Sequence, residues 1–150
     1  MPRYEEVPDS FKIETIQVLE QFFPELRTVK IKLLFDTKKN FHGGKLVLGK
    51  CQKPNDLIKY FSVKESNNEE GYQVVVTFDK FACQFASEAD RVRLIRHELR
   101  HIQYDPDTGA ITLLPHDFED FIAEVELNKD DPDWGTRVAT AAIRQYLIQG

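Results

Sequence analysis

The sequence predicts an α+β fold: a small, mostly antiparallel sheet drawn from the first half of the chain, with helices in the second half. Two patterns lead there. Residues 29–35 alternate apolar and polar side chains with the period of a strand, and residues 72–78 are rich in β-branched residues. Residues 87–104, 115–127 and 136–148 carry apolar side chains at helical spacing instead. Strands that precede helices, without a regular strand–helix alternation, fit this class. No internal repeat, low-complexity tract or linker interrupts the 150 residues, so residues 1–150 read as one domain.

Taken in order, Asp9 and Ser10 offer a helix cap, and Phe11, Ile13, Ile16, Val18, Leu19 and Phe22 follow at roughly helical spacing until Pro24 stops the run. Val29, Ile31, Leu33 and Phe35 alternate with neighbours such as Lys30 and Lys32, as in a half-buried strand. Residues 40–44 form a turn and 45–49 a short paired strand. Pro54, Asn55 and Asp56 mark a loop, and residues 57–63 are ambiguous. Residues 65–71 read as a solvated turn. Residues 72–78, with Val74, Val75, Val76 and Thr77, are the clearest strand, expected to be half-buried. Residues 81–85 form a bend or a helical turn. A helix starting at Ser87 should run to about Tyr104, because residues 105–109 are dense in turn formers. A short extended segment, 110–114, leads to a helix opened by Pro115 with Phe118, Phe121, Ile122, Val125 and Leu127 on its apolar side. The last helix covers 136–148.

The net charge of −5 disfavours non-specific binding to nucleic acid, because an acidic surface repels phosphates. The N-terminus lacks the apolar core of a secretory signal, and no run approaches the ~18 apolar residues that cross a membrane. Cys51 and Cys83 read as two reduced, half-buried thiols; neither has the spacing of a paired metal or redox site.

Chemistry concentrates in the histidines. There are four, and two of them stand in His97-Glu98-Leu99-Arg100-His101, the pattern HExxH. On a helix, positions i and i+4 lie about 40° apart, so His97 and His101 share a face and can hold one ion. Glu98 is offset by about 100° from His97 and about 60° from His101. That places it beside the ion, where a carboxylate can act as general base on a water. A catalytic zinc wants three protein ligands and an open position. His116 is the candidate third ligand; Glu119, Asp120 and Glu124 are its rivals, with Glu119 the strongest of them. Asp117 is a candidate for orienting an imidazole. His42, beside Gly43 and Gly44, reads as a surface residue. Arg100 lies on the helix side away from Glu98 and is expected to reach solvent or an acid.

The segments HELRHI at 97–102 and PHDFEDF at 115–121 resemble the phage metallopeptidase family, and so does the stretch from YQVVVTFDKF to SEADRVRLIRHELRH. The general layout is also similar to SprT-like proteases. The resemblance implies a minimal zincin-like fold and zinc-dependent hydrolysis of a peptide or protein substrate. It implies metal ligation by His97, His101 and His116, with Glu98 as the base that moves a proton from water to the leaving amine. Tyr104 and Tyr146 are candidates for steadying the oxyanion. An extended peptide is expected to pair with the sheet edge near 72–78. The expected compartment is a cytoplasm, either a microbe's own or an infected host's. A competing expectation is a catalytically inactive zinc-binding or interaction domain of phage origin that acts by binding a host protein. A protease associated with DNA is a third reading, opposed by the acidic charge.

Overall fold

The computed structural model describes residues 2–114 and 122–149. Four strands form the main sheet: β1 (Tyr4–Glu6), β2 (Ile31–Asp36), β5 (Gly49–Gln52) and β6 (Val74–Asp79), in the order β1-β2-β6-β5. β1 runs antiparallel to β2 and β5 antiparallel to β6, while β2 and β6 are parallel, with Ile31 opposite Val74 and Asp36 opposite Asp79. Two hairpins stand apart from it. One pairs β3 (Phe41–His42) with β4 (Lys45–Leu46), the other β7 (Ile102–Tyr104) with β8 (Ile111–Leu113). The expected α+β architecture with mostly antiparallel pairing is the one observed.

The tight link between β3 and β4 has a simple local cause. Gly43 and Gly44 both adopt positive φ, 59° and 79°, which a two-residue hairpin turn of this hand demands and which glycine alone adopts at little steric cost.

Six helices complete the described chain: α1 (Asp9–Phe22), α2 (Asp56–Ser66), α3 (Lys80–Phe85), α4 (Glu88–Leu99), α5 (Ile122–Leu127) and α6 (Trp134–Gln149). Phe11 of α1 meets Phe35 of β2 and Phe78 of β6 edge-on, with ring centroids 5.2 and 5.1 Å apart, a favoured aromatic geometry. Leu94, Ile95 and Leu99 of α4 and Trp134, Val138 and Ala142 of α6 enter the same core. Among the described residues, no helix is long and apolar enough to cross a membrane.

Several boundaries differ from the sequence reading. Residues 74–79 are buried throughout, not half-buried, because β6 lies between β2 and β5. A strand covered on both faces reads as a continuous apolar run. For the same reason β6 offers no edge to a peptide; β5, unforeseen beyond residue 49, ends the sheet. α2 fills the ambiguous segment, capped by the Asn55 side chain, which accepts from the Ile58 N–H at 2.9 Å. α4 stops at Leu99, about five residues early, because Ile102 leaves the helix to pair with Leu113 and bury itself in the core.

Candidate metal centre

The site is built on the last turn of α4. Its start is fixed by Ser87, whose Oγ accepts the Asp90 N–H at 3.2 Å. Leu94, Ile95 and Leu99 bury one side of the helix. His97 lies on the helix and His101 two residues beyond its end, so the motif is terminal, not central as the sequence reading had it. The helical relation nevertheless persists through the turn: the Arg100 N–H donates to Arg96 O at 2.9 Å and the His101 N–H to Glu98 O at 3.2 Å. The imidazole centroids are 5.6 Å apart and tilted by 72°. Ligand-capable atoms of His97, Glu98 and His101 all lie within 4.8 Å of one another.

One tautomer is set by the backbone. His101 Nδ1 is 2.6 Å from Leu114 O. A carbonyl can only accept, so Nδ1 carries the proton and Nε2 keeps its lone pair for an ion. The Leu114 N–H donates in return to His101 O at 2.6 Å, locking ring and hairpin together. An outer acceptor on a ligating imidazole is the usual way such rings are oriented. Two imidazoles and a carboxylate within 4.8 Å of one another fit a divalent cation.

Glu98 is almost wholly buried, 4 % exposed, and faces β5. Burial pushes its carboxyl up to about 7, against the pull of nearby His97 and of the Cys51 thiol. Cys51 Sγ stands 3.1 Å from Glu98 O and 3.7 Å from its Oε2. Desolvation, with Glu98 nearby, raises the Cys51 thiol far above its usual range, so it remains a thiol. A cleft of about 890 Å³ opens over the three motif residues; Leu46, Leu48, Leu94, Leu113 and Trp134 contribute apolar walls.

The opposite side of α4 is an ion cluster. Arg96 Nε donates to Glu124 Oε1 at 2.9 Å, and Arg100 donates to Oε2 through Nη2 at 2.8 Å and Nε at 3.2 Å. Arg96 also donates to Asn128 Oδ1 at 2.5 Å. Each guanidinium lies over a ring, Arg96 over Phe22 at 5.0 Å and Arg100 over Phe23 at 4.6 Å.

Glu124 is therefore not a rival metal ligand: both its oxygens are engaged, and it is fully buried on the far side of the helix from the imidazoles. Arg100 meets an acid, as one of its two expected fates. Tyr146 does not serve the cleft; its hydroxyl donates to Asp79 Oδ2 at 2.5 Å and its ring packs on Phe81. Tyr104, on β7, does not line the cleft either. His42 sits exposed on β3, outside the metal-capable group. Both cysteines are unpaired, Cys83 buried and Cys51 half-buried beside the motif. His116, Asp117, Glu119 and Asp120 lie outside the described residues.

Sequence reasoning missed Gly49, Cys51 and Leu114. Only a strand extended to residue 52 would have signalled the first two, by placing 49 and 51 on one face.

A family model described as "Putative phage metallopeptidase" matches residues 3–142, nearly the whole chain. No curated protein sequence and no solved structure matches it. The chain belongs to this phage metallopeptidase family.

Proposed function

We propose that the protein is a zinc-dependent peptidase in which His97 and His101 hold the ion and Glu98 is the general base. The observation that carries this reading is the convergence of His97, Glu98 and His101 on one point at the floor of a cleft. His116 is proposed as the third ligand. It lies two residues beyond Leu114, whose carbonyl touches His101, and two residues reach at most about 7 Å.

A bound zinc ion would supply Lewis acidity and an acidified water at this point. The chain's own residues do the rest. Glu98 is a carboxyl that burial raises to about 7 in the metal-free chain, and the charge of a bound cation would favour its ionised form, the form a base needs. The apolar walls offer surface against which the side chains of a substrate can pack. β5 ends the sheet beside Glu98, so an extended peptide can pair with its backbone and lie across the motif. Two unpaired thiols suit a reducing cytoplasm, microbial or of an infected host cell.

Purified protein should carry about one zinc per chain, and a chelator should lower its melting temperature. Glu98→Gln should retain the zinc and lose peptidase activity by about 10²- to 10⁴-fold. A chain that binds no zinc, or a Glu98→Gln variant as active as the parent, overturns the assignment. Zinc bound without turnover in the parent would favour the binding-domain reading instead.

A further inference from the structure

Glu98 presents a problem that its motif does not solve. Its carboxylate lies within 4.8 Å of the ligand atoms of both imidazoles, close enough to join them on a cation. A carboxylate that bound the ion would no longer be available as a base. Among the described residues, no guanidinium or ammonium hydrogen-bonds to it; the side-chain donor that reaches it is the Cys51 thiol.

Strand β5 supplies the missing restraint. Residues 49 and 51 share one face of the strand, as period-two geometry requires. Pairing with β6, with Gly49 opposite Phe78 and Cys51 opposite Val76, fixes where that face stands. A methyl group at position 49 would sit 2.7 Å from both Cδ and Oε1 of Glu98, and 2.8 Å from its Cγ. Those distances are impossible, so the carboxyl occupies the space a side chain would take. The backbone does not otherwise ask for glycine there, because Gly49 is not among the positive-φ glycines. Glycine inside a strand costs about 0.5–1 kcal/mol, and here the close approach of Glu98 is what requires it. The single thiol proton of Cys51 is shared between two acceptors, Glu98 O at 3.1 Å and Oε2 at 3.7 Å. The first ties the strand to the main chain of Glu98, and only the second restrains the carboxyl group itself.

We propose that Gly49 and Cys51 are positioning residues for Glu98, the one providing a slot and the other a hydrogen-bond donor, which together hold the carboxylate beside the metal position and off it. This rests on the reading of Glu98 as the base. Neither residue touches the reacting atoms; both act through the carboxylate.

Two readouts test it, one of them independent of metal and substrate. In metal-free protein the S–H stretch of Cys51, assigned by its loss in Cys51→Ala, should shift in Glu98→Ala while the Cys83 band stays. A stationary Cys51 band overturns the proposal. With zinc bound and any peptide the parent cleaves, Gly49→Ala should lower kcat by about 100-fold with KM nearly unchanged, since a displacement of about 1 Å suffices. Its zinc affinity should not weaken, because both imidazoles are left in place. Cys51→Ala should lose about tenfold in kcat and Cys51→Ser should recover most of it, since a hydroxyl can donate to the same oxygen. Parent-like turnover in Gly49→Ala or Cys51→Ala also overturns the proposal. If Gly49→Ala does not fold, the cysteine pair and the infrared band decide. A parent that cleaves no peptide sinks the hydrolase assignment, yet the band still answers whether β5 holds Glu98.

Discussion

Two acidic side chains flank α4, Glu98 on the cleft side and Glu124 on the other, and both are nearly removed from solvent. Glu124 is met by two guanidiniums, at 2.9 and 2.8 Å, so its charge is balanced where it lies. Glu98 is met by a thiol and a histidine, and its carboxyl climbs to about 7. Equal burial thus produces opposite chemistry. The compensated carboxylate braces α5 against the motif helix, and the uncompensated one remains able to change its protonation. The sequence arranges this by doubling one spacing: Arg96 and Arg100 precede His97 and His101 by one residue each, so one pair points at Glu124 and the other into the cleft.

The sharpest way to break the comparison is to remove the compensated acid. Glu124→Ala leaves the buried Arg96 guanidinium without its counter-charge and should destabilise the chain by about 3–5 kcal/mol in denaturant unfolding. A loss under about 1 kcal/mol would mean that the cluster is ornamental. Removing the uncompensated acid should act in the opposite direction. The Glu98 carboxyl titrates near 7 in the folded chain against 4.5 ordinarily, so between those values the metal-free native state keeps a proton that the unfolded chain has lost. Stability of metal-free protein should therefore fall as pH rises from about 4.5 to about 7. Metal-free Glu98→Gln should be more stable than the parent at pH 8, by up to about 3 kcal/mol, with the difference vanishing near pH 4.5. Parallel stability curves across that range would refute the contrast. The smallest effect should come from Arg100→Lys, which keeps the charge but loses the two-pronged contact and the stacking on Phe23. It should cost about 1 kcal/mol, read as a shift of the unfolding midpoint.

The parts of this arrangement that were legible in the sequence are those encoded locally. HExxH spacing brought His97, Glu98 and His101 together because the chain keeps turning past Leu99, with the His101 N–H on Glu98 O. The β-branched run at 74–77 identified β6, but not its central place, since burial of both faces is decided by β2 and β5. The end of α4 was misplaced because turn formers begin at Asp105, whereas the helix yields earlier to a non-local pairing, Ile102 with Leu113. Glu124 stood among the rivals to His116 because nothing near it in sequence announces Arg96 and Arg100 as partners, 28 and 24 residues away. Gly49 and Cys51 were illegible as site residues for the same reason: their meaning comes from a helix almost fifty residues downstream.

The reciprocal bonds between His101 and Leu114 have an evolutionary corollary. They close a hairpin whose register pairs Ile102 with Leu113 and Tyr104 with Ile111. Slipping that register by one residue would turn the ladder over and carry the Leu114 carbonyl away from the imidazole. Insertions or deletions between Tyr104 and Ile111 are then tolerable only when the loop absorbs them whole. Related chains should show varied residues in that loop but a constant ladder around it, with the interval from His101 to Leu114 changing only by lengths a bulged turn can take up.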